Sequence, residues 1–105
     1  MVLTRASVAQ AKGLSPVARV VAVSAHAQEP KDFTTAPVGA INKLMDKAGW
    51  TLADVDLFEV NEAFASVVAA WRRELSPDWD RVNVNGGAIA LGHPLGGSGA
   101  RLITT

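Results

Sequence analysis

The chain of 105 residues contains no cysteine and no apolar run of membrane-spanning length. Without cysteine it forms no disulfide, holds no thiolate-bound metal and has no thiol nucleophile of its own. The longest aliphatic run, Val20–Val23, is far shorter than the ~20 residues that a transmembrane helix needs. The first residues lack the pattern of a signal peptide. We therefore expect a cytoplasmic protein without a membrane anchor.

The chain also lacks an excess of either charge. Ten Lys and Arg residues balance ten Asp and Glu residues. Nucleic acids and anionic membrane surfaces attract basic patches, so neither is expected as a partner. Apolar residues make up 49% of the chain and charged residues 19%, which is typical of a globular protein. The length fits one small domain.

Several apolar segments have the character of β-strands. The segment 17–25, VARVVAVSA, is rich in β-branched residues and apolar on both faces. This pattern is typical of a strand covered on both sides, as in a parallel sheet. Shorter strands are predicted at 2–4, 57–60 and 82–84.

Helical signals alternate with these segments. Helices are predicted at 7–12, 37–48 and 63–75 and from residue 100, with polar connections at 28–35 and 77–80. Gly13 and Gly49 are suited to the left-handed position that ends a helix. Thr51 and Asp54 resemble a capping box that opens a short turn. The β-α-β-α-β-α-β order predicts an α/β fold with a mostly parallel sheet.

Six of the nine glycines lie between Gly86 and Gly99. Glycine is entropically costly to order, so this density indicates positive φ angles or a close approach of the backbone to another group. Free N–H groups before the predicted last helix could bind an anion or a developing oxyanion. A tight turn before a closely packed helix is an equally good interpretation. The nucleotide-binding glycine patterns are missing.

His93 lies in this glycine-rich segment, between Gly92 and Pro94. The proline disfavours a helical backbone at His93, so the imidazole is presented from a stiff loop. A neutral imidazole accepts a proton near pH 7, as a general base must. The alternative is a loop histidine bonded to backbone carbonyls. His26 has no comparable context and is interpreted as structural or exposed.

Asn61 follows the predicted strand 57–60 directly. Side chains at the carboxyl end of a strand in an open α/β sheet face the ligand-binding crevice. The Asn61 amide could donate to a carbonyl oxygen or hold a water molecule, but asparagine is also a common helix cap. The neighbouring Glu62 could act as a base, or could simply stabilise the first turn of a helix.

Together these motifs are similar to those of a known family. NEAFA at 61–65, followed by NVNGGAIALGHPLGGSGAR at 83–101, resembles the C-terminal half of the thiolases. These are the acetyl-CoA acetyltransferases and the 3-ketoacyl-CoA thiolases. The resemblance extends over essentially the whole chain. It implies that residues 1–105 form part of a thiolase C-terminal domain, a βαβαβαββ half that ends inside its last helix and lacks its final strands.

The resemblance also implies roles for individual residues. His93 matches the histidine that activates a nucleophilic cysteine, and Asn61 matches the asparagine that holds a water of the oxyanion hole. Phe64 corresponds to an aromatic residue that lines the pocket. Further pocket residues are Gly92, Gly96, Gly97 and Ser98. The implied substrates are coenzyme A and its acyl thioesters, with no other cofactor and no metal, in a homo-oligomer.

Both cysteines that thiolases use would lie outside this sequence. We therefore expect a thiolase fragment that does not transfer acyl groups by itself. Two alternatives remain open. One is a non-catalytic, thiolase-like module that binds acyl-CoA or assembles into an oligomer. The other is a remnant without an independent function.

Overall fold

The computed structural model describes all 105 residues and is mainly helical. Five α-helices follow one another along the chain: α1 (Ala6–Ala11), α2 (Ala36–Ala48), α3 (Ala65–Leu75), α4 (Ala88–Leu91) and α5 (Ser98–Thr104). Three short 3₁₀ helices connect them: Pro30–Thr35, Leu52–Asp54 and Trp79–Arg81. Parts of the connections predicted at 28–35 and 77–80 are thus helical.

The first two helices end where their glycines predict. Gly13 and Gly49 have φ angles of 61° and 69°, in the left-handed region. After α2, the amide of Gly49 donates to the carbonyl of Asp46, and that of Trp50 to the carbonyl of Met45. These are the two bonds of a Schellman motif, which satisfy carbonyls at the end of a helix.

The core lies on one face of α3. Val67, Val68 and Trp71 are buried, and Trp71 is completely inaccessible to solvent. The ring of Phe58 meets the Trp71 indole edge-to-face, with 5.4 Å between ring centroids. The helix begins at Ala65, two residues later than predicted, because the backbone of Phe64 is extended, with φ −141° and ψ 147°.

The predicted parallel sheet is not formed. A single parallel bridge joins Phe58 to Val82, so the strands predicted at 57–60 and 82–84 meet at one point only. The segments 2–4 and 17–25 are not strands. Strand hydrogen bonds need a neighbouring strand, and β-branched composition does not supply one.

The segment 17–25 instead contacts α2. The hydroxyl of Ser24 donates to the carbonyl of Ala40 at 2.6 Å, and the Lys47 ammonium donates to the carbonyl of Val23 at 3.0 Å. The prediction that both faces of this segment are covered was wrong, because its valines remain largely exposed.

The chain is more open than a typical domain of its length. Its radius of gyration is 15.3 Å, whereas a compact chain of this length has about 13 Å. None of its helices combines the length and the apolar character needed to cross a membrane.

Candidate functional site

Backbone hydrogen bonds join the segment that carries Asn61 to the residues on either side of Val82. The amide of Phe58 donates to the carbonyl of Arg81, and the amide of Asn83 donates to the carbonyl of Phe58, both at 2.8 Å. The side chain of Asn83 continues this pairing. Its Oδ1 accepts from the amide of Val60 at 2.7 Å, and its Nδ2 donates to the carbonyl of Val60 at 3.0 Å. Asn83 has a φ of 48°, a left-handed conformation that asparagine tolerates better than most residues.

His93 follows a glycine with a special backbone conformation. Gly92 ends α4 with φ 94° and ψ 160°, which residues with a Cβ rarely adopt. Pro94 then opens a tight turn into α5, and its carbonyl accepts from the amides of Gly97 and Ser98 at 2.9 and 2.8 Å. This turn brings the Ser98 hydroxyl back to the ring of His93.

Asn61 and His93, the two residues predicted to be catalytic, lie side by side. Asn61 Nδ2 is 3.5 Å from His93 Nε2, although 32 positions separate them in sequence. On the other side of the ring, His93 Nδ1 lies 2.6 Å from Ser98 Oγ, which donates to the carbonyl of Pro94 at 3.0 Å. The chain therefore forms a row of contacts from Asn61 through His93 and Ser98 to the backbone.

These contacts are compatible with the neutral imidazole that carries its proton on Nδ1. The Asn61 Nδ2 is a donor, so Nε2 faces it with a lone pair. When the single Ser98 hydroxyl proton goes to the Pro94 carbonyl, Oγ accepts from Nδ1–H. A separation of 3.5 Å is the outer limit for a hydrogen bond. The contact between Asn61 and the Nε2 of His93 is therefore a weak one.

The remaining atoms of this site differ in their exposure. Ser98 is buried, with 3% of its surface exposed, while Asn61 and His93 are half-buried. The carbonyl oxygen of Asn61 is buried and has no hydrogen-bond partner. The Asn61 amide therefore contacts His93 through its nitrogen, while its oxygen is unpaired.

The other predicted pocket residues lie in different surroundings. Phe64 is 58% exposed and stacks edge-to-face on Phe33, with 6.1 Å between centroids. Gly97 approaches the ring of Pro94, whereas Gly96 has open space where a side chain would be. Of the predicted pocket set, Ser98 touches the His93 ring, and Gly92 shapes the backbone just before it.

A cleft lies on the surface beside α3. It has a volume of about 540 Å³ and runs along α3 between Trp79 and Ile89. The guanidinium of Arg72 lies 4.5 Å above the Trp79 ring in this cleft. Neither Asn61 nor His93 lines it. Glu62 and Ile89 do line it, so the cleft begins beside the segment that carries Asn61.

Two residues at the site have roles that their sequence context did not indicate. Glu62 precedes α3 by three residues, so its interpretation as a first-turn residue was wrong. Its carboxylate accepts from Asn83 Nδ2 at 3.1 Å and from the amide of Ile89 at 3.0 Å. Asn83 gives no sequence signal beyond being an asparagine between two valines. Both sets of partners are distant in sequence, so local patterns do not reveal them.

Residues 14–105 match the family model described as the C-terminal domain of thiolase. The chain belongs to the thiolase family. The prediction made from the NEAFA and GHP motifs is thereby confirmed. Among curated proteins, the thiolase chain is 50% identical over 105 residues to the cytosolic acetyl-CoA acetyltransferase of Mus musculus, covering 100% of this chain and 26% of that protein.

Other thiolases match in the same way. A steroid 3-ketoacyl-CoA thiolase of Mycobacterium tuberculosis is 52% identical over 93 residues, which are 89% of this chain and 23% of the relative. The crystal structure of the Bacillus anthracis acetyl-CoA acetyltransferase superposes with a TM-score of 0.89 at 45% identity. That match covers 93% of this chain and 25% of the other. The chain thus has a thiolase-type fold and spans about a quarter of the length of these relatives.

Proposed function

We propose that this thiolase chain contributes the base and an oxyanion-stabilising amide to acyl transfer between coenzyme A thioesters. The observation that carries the proposal is the approach of Asn61 Nδ2 to His93 Nε2, with Ser98 behind the ring. The relatives are named for the same class of reaction, acetyl transfer from acetyl-CoA and thiolysis of 3-ketoacyl-CoA.

In the proposed mechanism, His93 Nε2 accepts the proton of a cysteine thiol that belongs to polypeptide outside these 105 residues. In condensation, the resulting thiolate forms a bond to the carbonyl carbon of acetyl-CoA, and the bond from that carbon to the CoA sulfur breaks. In thiolysis, the thiolate bonds to the 3-keto carbon of the 3-ketoacyl-CoA instead, and the bond from that carbon to C2 breaks, which releases acetyl-CoA. The proton on His93 passes to the departing sulfur or carbon, so the imidazole returns to its neutral form. The acyl group then moves from the cysteine to the sulfur of free CoA in thiolysis, or to C2 of a second acetyl-CoA in condensation, and the proton lost from that sulfur or carbon returns to the cysteine.

Asn61 supports the proposed oxyanion. Negative charge develops on the thioester oxygen as the thiolate attacks, and fixed dipoles lower its free energy. The resemblance gives Asn61 this task through a bound water, together with the histidine. Its amide supports this role because Nδ2, which faces His93, can donate a hydrogen bond to a water or to a carbonyl oxygen.

In this proposal, Ser98 determines which nitrogen of His93 acts as the base. With the Ser98 hydroxyl donating to the Pro94 carbonyl, Oγ accepts from Nδ1–H, and the basic lone pair is on Nε2, the nitrogen that faces Asn61. This supports a base at Nε2 rather than at Nδ1.

The proposal is tested in a chimera in which this chain replaces the matching quarter of the Bacillus anthracis acetyl-CoA acetyltransferase. We expect thiolysis of acetoacetyl-CoA that falls by about 10²- to 10⁴-fold in H93A, since general-base catalysis typically contributes that much. S66A, at an exposed position of α3, is the matched control and should keep full activity. A folded chimera without turnover, or one that is indifferent to H93A, would contradict the proposal.

The isolated chain should show no turnover, because it has no cysteine to become acylated. A second candidate function is a non-catalytic module that binds acyl-CoA. Calorimetry separates the two, because such a module would give saturable heat with acetyl-CoA and no acyl transfer. The cytoplasmic location and the homo-oligomeric state remain predictions, and the mouse relative is named as cytosolic.

A further inference from the structure

We propose that Glu62 is a positioning residue whose carboxylate holds the segment carrying Asn61 against the segment carrying His93. The inference rests on the proposed function only insofar as that function gives the Asn61–His93 pair its task. Glu62 is not itself assigned to the chemistry. Its effect is on the distance between two other side chains.

The carboxylate of Glu62 connects two parts of the chain. Its Oε2 accepts from the amide of Ile89 in α4, and its Oε1 accepts from Asn83 Nδ2. Glu62 directly follows Asn61, and Ile89 lies four residues before His93. Movement of α4 relative to Glu62 is therefore passed to His93 through one short helix and Gly92.

The direct contact between Asn61 and His93 is too weak to hold the two segments together. At 3.5 Å it contributes little binding energy. The Glu62 carboxylate is charged, and a hydrogen bond to a charged group is stronger than one between neutral groups. The bond from Ile89 N to Glu62 is the hydrogen bond that joins residues 58–62 to α4.

Gly87 makes this arrangement possible. A Cβ built at Gly87 would overlap with the carboxyl group of Glu62. The backbone of Gly87 has φ −123° and ψ −176°, which any residue can adopt. The glycine is therefore required for the close approach of the carboxylate and not for the conformation of the chain.

Asn83 completes the arrangement. One Asn83 amide nitrogen donates both to the carbonyl of Val60 and to Glu62 Oε1. The orientation of the Glu62 carboxylate is thus set from the same side chain that pairs with the backbone before Asn61. A carboxylate suits this position because both of its oxygens accept hydrogen bonds, whereas a carboxamide has only one acceptor oxygen.

The test uses NMR on the 105-residue chain, with E62A, E62Q and the exposed control E74Q. In the wild-type chain we expect a cross-relaxation signal between the Asn61 amide protons and the His93 ring. E62A should abolish that signal and speed amide exchange at Ile89 by about tenfold to a hundredfold, the loss of a charged hydrogen bond. E62Q should give an intermediate result, because one acceptor remains. E74Q should match the wild type.

A second variant, G87A, disturbs the contact between Glu62 and Ile89 without changing Glu62. In G87A the new methyl group should push the carboxylate away from Ile89, so this variant should reproduce the effects of E62A. In the E62A background, G87A should have no further effect on the Ile89 amide. Such non-additivity is expected for two residues that act through one contact.

The outcomes separate this inference from the proposed function. The positioning role is overturned if the Asn61–His93 signal is absent in the wild type, or survives in E62A and G87A. It is also overturned if E62A only lowers thermal stability, since a merely structural residue would do that. None of these measurements involves coenzyme A or turnover. An inactive chimera would leave a confirmed positioning role intact, and persistence of the signal in E62A would leave the proposed reaction intact.

Discussion

Ser98 is the residue that contacts Nδ1 of the His93 ring. Its hydroxyl lies between Nδ1 of the imidazole and the carbonyl of Pro94, and it is shielded from water. When the hydroxyl donates to this carbonyl, Nδ1 of the imidazole carries the ring proton. The tautomer proposed for His93 thus depends on the turn that begins at Pro94.

We predict that S98A frees the imidazole to adopt both tautomers. The Nδ1–H would lose its acceptor, and an unsatisfied buried donor costs about 1 to 3 kcal/mol. The ¹⁵N spectrum of the His93 ring should change from one tautomer to a mixture, and the free energy of unfolding should fall by a similar amount. S66A, an exposed serine on α3, serves as the control. An unchanged ring spectrum in S98A would show that another group sets the tautomer.

At the scale of elements, the turn that follows α2 is stabilised by hydrogen bonds between two residues close in sequence, Thr51 and Asp54. Thr51 donates from both its backbone amide and its hydroxyl to Asp54 Oδ2, each at 2.8 Å. The capping box predicted from the sequence is confirmed at the 3₁₀ helix Leu52–Asp54. The backbone donor, and then the hydroxyl donor, hold the pKa of Asp54 below its ordinary value.

This shift predicts a pH dependence of stability. The pKa is lower in the folded than in the unfolded chain, so the contribution of Asp54 is complete above its ordinary pKa. It is lost as the pH falls through the lowered value. D54N should remove this component, so the unfolding midpoints of D54N and the wild type should converge as the pH falls below about 4. D56N, an exposed neighbour, is the control. Parallel curves for D54N and the wild type would contradict the assignment.

The elements also show which structural features local sequence can predict. The ends of α1 and α2 were correct because Gly13 and Gly49 act within one turn of the chain. The strand at 17–25 was wrong because a strand is defined by its neighbours, and its composition alone cannot supply them. The 3₁₀ helix Pro30–Thr35 was missed because its polar residues favour a loop as much as a short helix.

At the scale of the whole molecule, apolar surface remains uncovered. Val17 is fully exposed and Val23 is 71% exposed, in a segment whose composition suits a buried strand. Unpaired segments of this kind are templates for pairing with another chain. The large radius of gyration agrees with a chain whose apolar residues are not all gathered into one core.

We predict that the isolated chain self-associates through the segment 17–25. Replacing Val17 and Val23 by lysine removes apolar surface and adds repulsion, and should weaken association by about tenfold or more. Light scattering over a range of concentrations measures this, with circular dichroism to verify that the helices persist. V2K is the control, because Val2 is equally exposed but lies outside the segment. A monodisperse wild-type monomer at all concentrations would disprove the prediction.

The sequence by itself determined the family, the helix ends and the identity of His93 and Asn61 as the residues to consider. These follow from short motifs and caps, whose partners lie within a few positions. Only the tertiary structure decided that Asn61 and His93 are neighbours, that Ser98 contacts the imidazole and that Glu62 accepts from the amide of Ile89. Each of these contacts depends on where the chain turns back on itself, and the Glu62 contact joins a side chain to a distant backbone atom. The missing sheet has the same cause, because strand pairing depends on which segments come together in space.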